Sequence, residues 1–199
     1  MKFSQDYTLS IIKHANLFPH CKFESGYKYT LMNIHCCLRL SMQNNHNELI
    51  NSSLSSTFNN KFPIIIDMDQ LKNNYFSIKK KLDNSIHEKK SVDIIFITEC
   101  KKIIFIEYKF NKYSKSEIFK TLKEKIDSSL EILTPLIEKN EYTINNITYV
   151  VYNDDDIQEV KNIYRDKLEE TNSNENNSIY TKCHPFSIEE LYNQFFREF

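Results

Sequence analysis

Three charged residues stand where apolar ones would be expected: Asp93 at the start of SVDIIFIT (91–98), and Glu107 and Lys109 near the end of KIIFIEYKF (102–110). Both runs are short, β-branched and almost continuously apolar, and only Glu99, Cys100 and Lys101 join them. The pattern predicts a hairpin buried on both faces. Folded about Cys100, Asp93 falls opposite Glu107, with Cβ atoms about 5 Å apart. Period-two alternation puts Lys109 on the face of Glu107 and Tyr108 on the other. Two carboxylates that close repel unless a cation lies between them, and a hard divalent ion with oxygen ligands fits. Mg²⁺ commonly takes only one or two carboxylates, which leaves room for a phosphate oxygen and a water. Lys109 would orient or help deprotonate that water, or neutralise developing charge. The chemistry indicated is metal-assisted cleavage of a phosphodiester. The competing reading is a structural ion-pair cluster, which is disfavoured because burying three charges at the ends of apolar strands costs several kcal/mol.

The surrounding elements must hold this hairpin. The sequence predicts a short helix over 5–18, stopped by Pro19, and a second from an N-cap at Ser25 to about Met42, on the spacing of Tyr27, Leu31, Ile34, Leu38 and Met42. A further short helix is expected over 48–58, a strand at FPIIIDMD (62–69), and a helix followed by loop over 70–90. After the hairpin, Ile118, Leu122, Ile126, Leu130, Leu133 and Ile137 recur at helical spacing across 114–138 and should lay an apolar stripe on the sheet. ITYVVYN (147–153) returns as a strand, and the crossover is long enough to make it parallel. A helix near 157–170, the polar loop NSNENNS, a strand in IYTKCHPF and a closing helix over 187–198 complete the chain. The expected fold is α/β, with a mixed central sheet flanked by helices and a helical N-terminal portion. The 199 residues read as one domain: 1–60 helical, 62–153 the catalytic sheet core, 154–199 the C-terminal helices and strand.

Composition narrows the function. A hydrophobic share of 40% is ample for a packed core and excludes wholesale disorder. With one Gly, no G-x-G-x-x-G or Walker A loop can be written. A formal net charge of −1 means that any nucleic acid must be held by a local basic patch. Lys112, Lys115, Lys120 and Lys123, following the hairpin, are the best candidates for phosphate contacts; Lys79 to Lys81, Lys89 and Lys90 flank it from the other side, and a solvated face is the plain alternative for all of them. Five Cys without C-x-x-C spacing, two of them adjacent at Cys36 and Cys37, suit free thiols in a reducing, intracellular and cytoplasmic setting. No segment approaches the roughly 18 apolar residues needed to span a bilayer, so no membrane partner is expected.

Asp93, thirteen intervening residues and Glu107-Tyr108-Lys109, on a hairpin followed by an amphipathic helix and a strand, resemble the PD-(D/E)XK nuclease superfamily over about residues 85–153. Val92 stands where the motif's name has proline. The resemblance implies a restriction-endonuclease-like fold, Asp93 and Glu107 as ligands of Mg²⁺ or Mn²⁺, Lys109 as the catalytic lysine, and DNA or RNA as substrate, with endonuclease action favoured. It also implies an acidic ligand from the helix before the sheet, for which Glu24 is the better candidate than Glu48, because in a continuous helix it shares the face of Leu31, Leu38 and His35; an ordinary first-turn acid favoured by the helix dipole is its plain alternative. The same residues resemble the cap-snatching endonuclease domains of segmented negative-strand RNA virus polymerases, where a helical His precedes the hairpin. His35 would then be the ligand and Asp67 a further one. A boundary histidine is the plain alternative for His35. A different class remains open: a nucleic-acid-binding or assembly module that keeps the fold without activity. A homodimer, or a place within a larger polypeptide or complex, is compatible with all of these readings.

Two other clusters carry less. Asp154, Asp155 and Asp156 lie between a strand and a helix start, where carboxylates cap and complement the dipole. His20-Cys21, His35-Cys36-Cys37 and Cys183-His184 lack zinc-finger or ribbon spacing.

Overall fold

The computed structural model describes residues 1–15, 31–33, 63–73, 75, 89–109, 117–137, 141–152, 156–171 and 182–197. Its centre is a six-stranded mixed sheet in sequential order, β1 (Leu31–Asn33), β2 (Ile64–Asp67), β3 (Ile94–Ile97), β4 (Lys102–Lys109), β5 (Thr143–Tyr152) and β6 (Cys183–Ser187). The first four strands are antiparallel neighbours, and β5 and β6 join in parallel. The helices are α1 (Gln5–Ala15), α2 (Glu117–Ile137), α3 (Ile157–Thr171) and α4 (Ile188–Phe195). The expected α/β class and mixed sheet are therefore present. No helix among the described residues is long and apolar enough to cross a membrane.

The β3–β4 hairpin forms as its alternation demands. Ile94 pairs with Ile106 and Ile97 with Ile103, which centres the turn on Cys100. Thr98 closes it, donating its amide to the Lys102 carbonyl at 3.0 Å and accepting the Lys101 amide at 2.9 Å. Lys101 takes φ 56°. That left-handed conformation costs a side-chain-bearing residue roughly 1–2 kcal/mol, and the chain's one glycine lies elsewhere.

Alternation divides the core. Ile94, Phe96, Ile104, Ile106, Tyr149 and Val151 point to one face, where α4 brings Leu191 and Phe195 against them. Ile95, Ile97, Ile103 and Phe105 point to the other, covered by Ile11 of α1 and Ile132 and Leu133 of α2. Leu122 of α2 continues that second layer over Val150, Tyr152 and Cys183, with Val160 and Tyr164 of α3 beside them. The apolar stripe predicted for α2 thus faces the sheet.

One element departs from expectation. The helix predicted over 25–42 is interrupted, because Leu31, Met32 and Asn33 pair as a strand with Ile66, Ile65 and Ile64. Tyr29 and Thr30, which favour extended backbone, immediately precede this strand, and hydrogen bonding to β2 overrides the helical spacing of its apolar residues. The helix expected over 48–58 and the loop NSNENNS lie outside the described residues. After β2 the chain turns helical over 68–73, with the Gln70 amide donating to Asp67 Oδ1 at 3.0 Å.

Candidate metal centre

Asp93 and Glu107 face one another across the hairpin. The β3–β4 register, continued one residue beyond Ile94 and Ile106, sets Asp93 against Glu107. Asp93 precedes the paired part of β3, and the Tyr108 amide ties it to β4 by donating to Asp93 Oδ2 at 2.5 Å. Glu107 lies six residues into β4, beside Val150 of β5 in the parallel register, and Lys109 lies beside Tyr152. The group therefore sits toward the carboxyl ends of two parallel strands, the end at which open α/β sheets bind ligands.

Glu107 is fully buried. Its Oε1 accepts from Lys109 Nζ at 2.5 Å, while its Oε2 is buried without a hydrogen-bond partner. A second ammonium reaches the pair from above the sheet: Lys125 of α2 places Nζ 2.6 Å from Glu107 Oε1 and 3.5 Å from Asp93 Oδ1. The helix is docked at this point. Ser129 Oγ donates to the Lys125 carbonyl at 2.8 Å and accepts the Val92 amide at 3.1 Å.

The electrostatics follow from burial. Desolvation, with the neighbouring Glu107 charge second, pushes the Asp93 carboxyl up to about 7, against the opposing pull of Lys125, the Tyr108 amide and Lys109. Lys125 is raised although its burial disfavours the ammonium, because Asp93 and Glu107 favour it more. Burial, then the nearby Cys183 and Glu107, holds the Tyr152 phenol protonated.

Two facing carboxylates with one buried oxygen left unpartnered suit a hard divalent ion whose remaining positions fall to water and phosphate. Among the described residues no third Asp, Glu, His or Cys joins them. Asp67 does not: it pairs with Ile94 and so points to the opposite sheet face, where it caps the helical turns at 68–73. Glu24, His35, Lys112 and Lys115 lie outside the described residues, as do His20, Cys21, Cys36, Cys37, Asp154 and Asp155; Lys120 belongs to α2, but its side chain is likewise outside them. The interruption at β1 removes the continuous helix on which Glu24 would have shared a face with Leu31 and Leu38.

Of the candidate phosphate-binding lysines, Lys89 is paired with Glu131 at 2.7 Å. Lys123 is exposed and, with Lys182, Asn145 and Asn146, lines a cavity of about 570 Å³ between α2 and the start of β5. Cys183 is buried, its thiol pushed up to about 12 by desolvation, while His184 alternates away from it, is exposed and is lowered by its own partial burial. No family model matches the chain, and no curated protein or solved structure matches it.

Proposed function

We propose that this chain is a nuclease that hydrolyses phosphodiester bonds of DNA or RNA with Mg²⁺ or Mn²⁺, by endonucleolytic cleavage. The observation that carries the reading is the buried Glu107, opposite Asp93, with an unpartnered Oε2 and a lysine two residues along the same strand face. A buried carboxylate oxygen without a partner costs several kcal/mol, and a cation relieves that cost.

In this reading Asp93 and Glu107 hold the ion, and the Tyr108 amide keeps the Asp93 carboxylate turned toward β4. The ion, when bound, lowers the pKa of water and offsets negative charge on the phosphoryl group. Lys109 carries a proton-bearing group beside Glu107, placed to orient the attacking water or to neutralise charge as it develops. A hairpin followed by a crossover helix and a parallel strand, with the acidic pair on the face that α1 and α2 cover, supports a restriction-endonuclease-like assignment of the fold.

A second reading has its own observation. Lys109 and Lys125 already neutralise the two carboxylates, which is what a non-catalytic nucleic-acid-binding module on this fold would retain. Cleavage assays of the purified chain on single-stranded RNA, single-stranded DNA and duplex DNA with Mn²⁺ separate the two. Metal-dependent cutting that Lys109→Ala abolishes is expected; cutting unchanged in that variant would remove the catalytic assignment. Preference for single-stranded RNA would favour the cap-snatching type, and duplex cutting a restriction or repair role.

A further inference from the structure

We propose that Lys125 is a resident cation of the Asp93–Glu107 pair, which a divalent ion must displace in order to bind; the inference rests on the metal-dependent reading above. Lys125 Nζ stands 2.6 Å from Glu107 Oε1 and 3.5 Å from Asp93 Oδ1, so one ammonium already spans both carboxylates where an ion would have to lie. Glu107 Oε1 receives Lys109 as well, at 2.5 Å, while Oε2 receives no hydrogen bond. Two cations crowd one oxygen of a fully buried carboxylate and none meets the other oxygen.

The charges decide the outcome. Two carboxylates and two ammoniums sum to zero, so a divalent ion added to the intact set would leave a net charge of two in a poorly hydrated site. Expelling one ammonium halves that excess. Lys109 shares the strand of Glu107, whereas Lys125 reaches in from α2 and spans both carboxylates, the position that the ion would take; its 16% side-chain exposure, close to the 13% of Lys109, gives it a route to water. Lys125 is the group that leaves, and metal affinity is set by this competition.

The test uses the full chain and Mn²⁺. Titration calorimetry should show Lys125→Met binding Mn²⁺ on the order of tenfold more tightly than the wild type, the size of an ordinary coupling between competing sites. Because displacement frees the Lys125 amine from both carboxylates, Mn²⁺ should speed its acylation in the wild type, read by peptide mass spectrometry, while Lys72 is unaffected. The labelling arm decides the matter if the variant does not fold. Wild-type Mn²⁺ binding with no gain in Lys125→Met and no change in labelling would overturn the displacement and leave the nuclease reading standing. Absence of Mn²⁺ binding in both proteins would overturn both.

Discussion

The Tyr108 amide donates to Asp93 Oδ2 at 2.5 Å, a backbone-to-carboxylate bond made where the β3–β4 ladder ends, by the amide that lies between Glu107 and Lys109. Glu107 and Lys109 flank that amide in sequence and project to the opposite face from the Tyr108 side chain. Asp93 is thus positioned in part by a backbone donor that a neutral acceptor oxygen can also satisfy. Asp93→Asn keeps an acceptor oxygen and removes the charge. Cleavage should fall by roughly a hundredfold or more, while metal-free melting stays within a few degrees of the wild type or rises. A variant that cuts normally, or one that unfolds, would contradict this separation of roles.

Glu107 is the structural keystone of the cluster, because it is the common partner of Lys109 and Lys125. Glu107→Ala leaves both ammoniums partly buried around a void and should destabilise by about 3–5 kcal/mol. Glu107→Gln preserves an acceptor and should cost less, but should lack the rise in melting temperature with Mn²⁺ that the proposed metal site predicts for the wild type. Denaturant unfolding with and without Mn²⁺ reads both effects. Equal stabilities of the two variants would show that the acceptor oxygen and the volume of residue 107 contribute nothing once its charge is gone.

Much of this site is legible in the sequence, because strand alternation is short-range. Two apolar runs about Cys100 suffice to set Asp93 against Glu107, and the length of the following helix suffices to make β5 parallel. Lys125 escapes such reading, since its partners are 18 and 32 residues away. Its signal is nevertheless present. Leu122, Lys125, Ser129 and Leu133 recur at spacings of three and four, so a lysine and a serine lie on the apolar stripe of α2, as out of place as Asp93 at the head of its strand. The strand β1 is misread for the opposite reason: its apolar spacing mimics a helix, and only pairing with β2 resolves it.

Val92, which the resemblance sets where its motif name has proline, has a physical account. Its amide donates to Ser129 Oγ at 3.1 Å, a bond that proline cannot make, and this bond docks α2 over the site. Ser129→Ala leaves that buried donor unsatisfied and should cost about 1–3 kcal/mol. Because Ser129 also holds the Lys125 carbonyl, the substitution should alter Mn²⁺ affinity too. A loss of stability with metal binding unchanged would detach α2 docking from the site.

The start of α4 should register acid. Ser187 and Glu190 form a capping box, and Glu190 also pairs with Lys161. Burial works to raise the Glu190 carboxyl, but the Lys161 and Ser187 hydrogen bonds and the Lys161 charge together hold it below its ordinary 4.5. A lowered folded-state pKa means that the contribution is present above the unfolded value and is lost as pH falls through the folded one. Between about pH 6 and about pH 3, urea unfolding should show the wild type losing more stability than Glu190→Gln. Ser187→Ala should cost about 1 kcal/mol at neutral pH. Parallel acid profiles for wild type and Glu190→Gln would exclude the cap as a source of acid sensitivity.

Lys123 provides the test of the proposed nucleic-acid contact. It stands two residues before Lys125, so the helical turn carries it away from the carboxylates toward the cavity that it lines with Lys182, Asn145 and Asn146. Under the proposed function, an exposed lysine there would meet phosphate without reading bases. Lys123→Ala should weaken binding by similar factors on unrelated sequences and reduce the slope of log affinity against log salt by about 1, and adding Lys182→Ala should reduce it by about 1 more. Mn²⁺ affinity should not change, because neither lysine is a partner of Asp93 or Glu107. Fluorescence anisotropy across a salt series, with Ca²⁺ replacing Mn²⁺ to suppress cutting, measures the slope. An unaltered slope in the double variant would place the phosphate contacts on another face, whereas a sequence-dependent loss would mean that these side chains read bases.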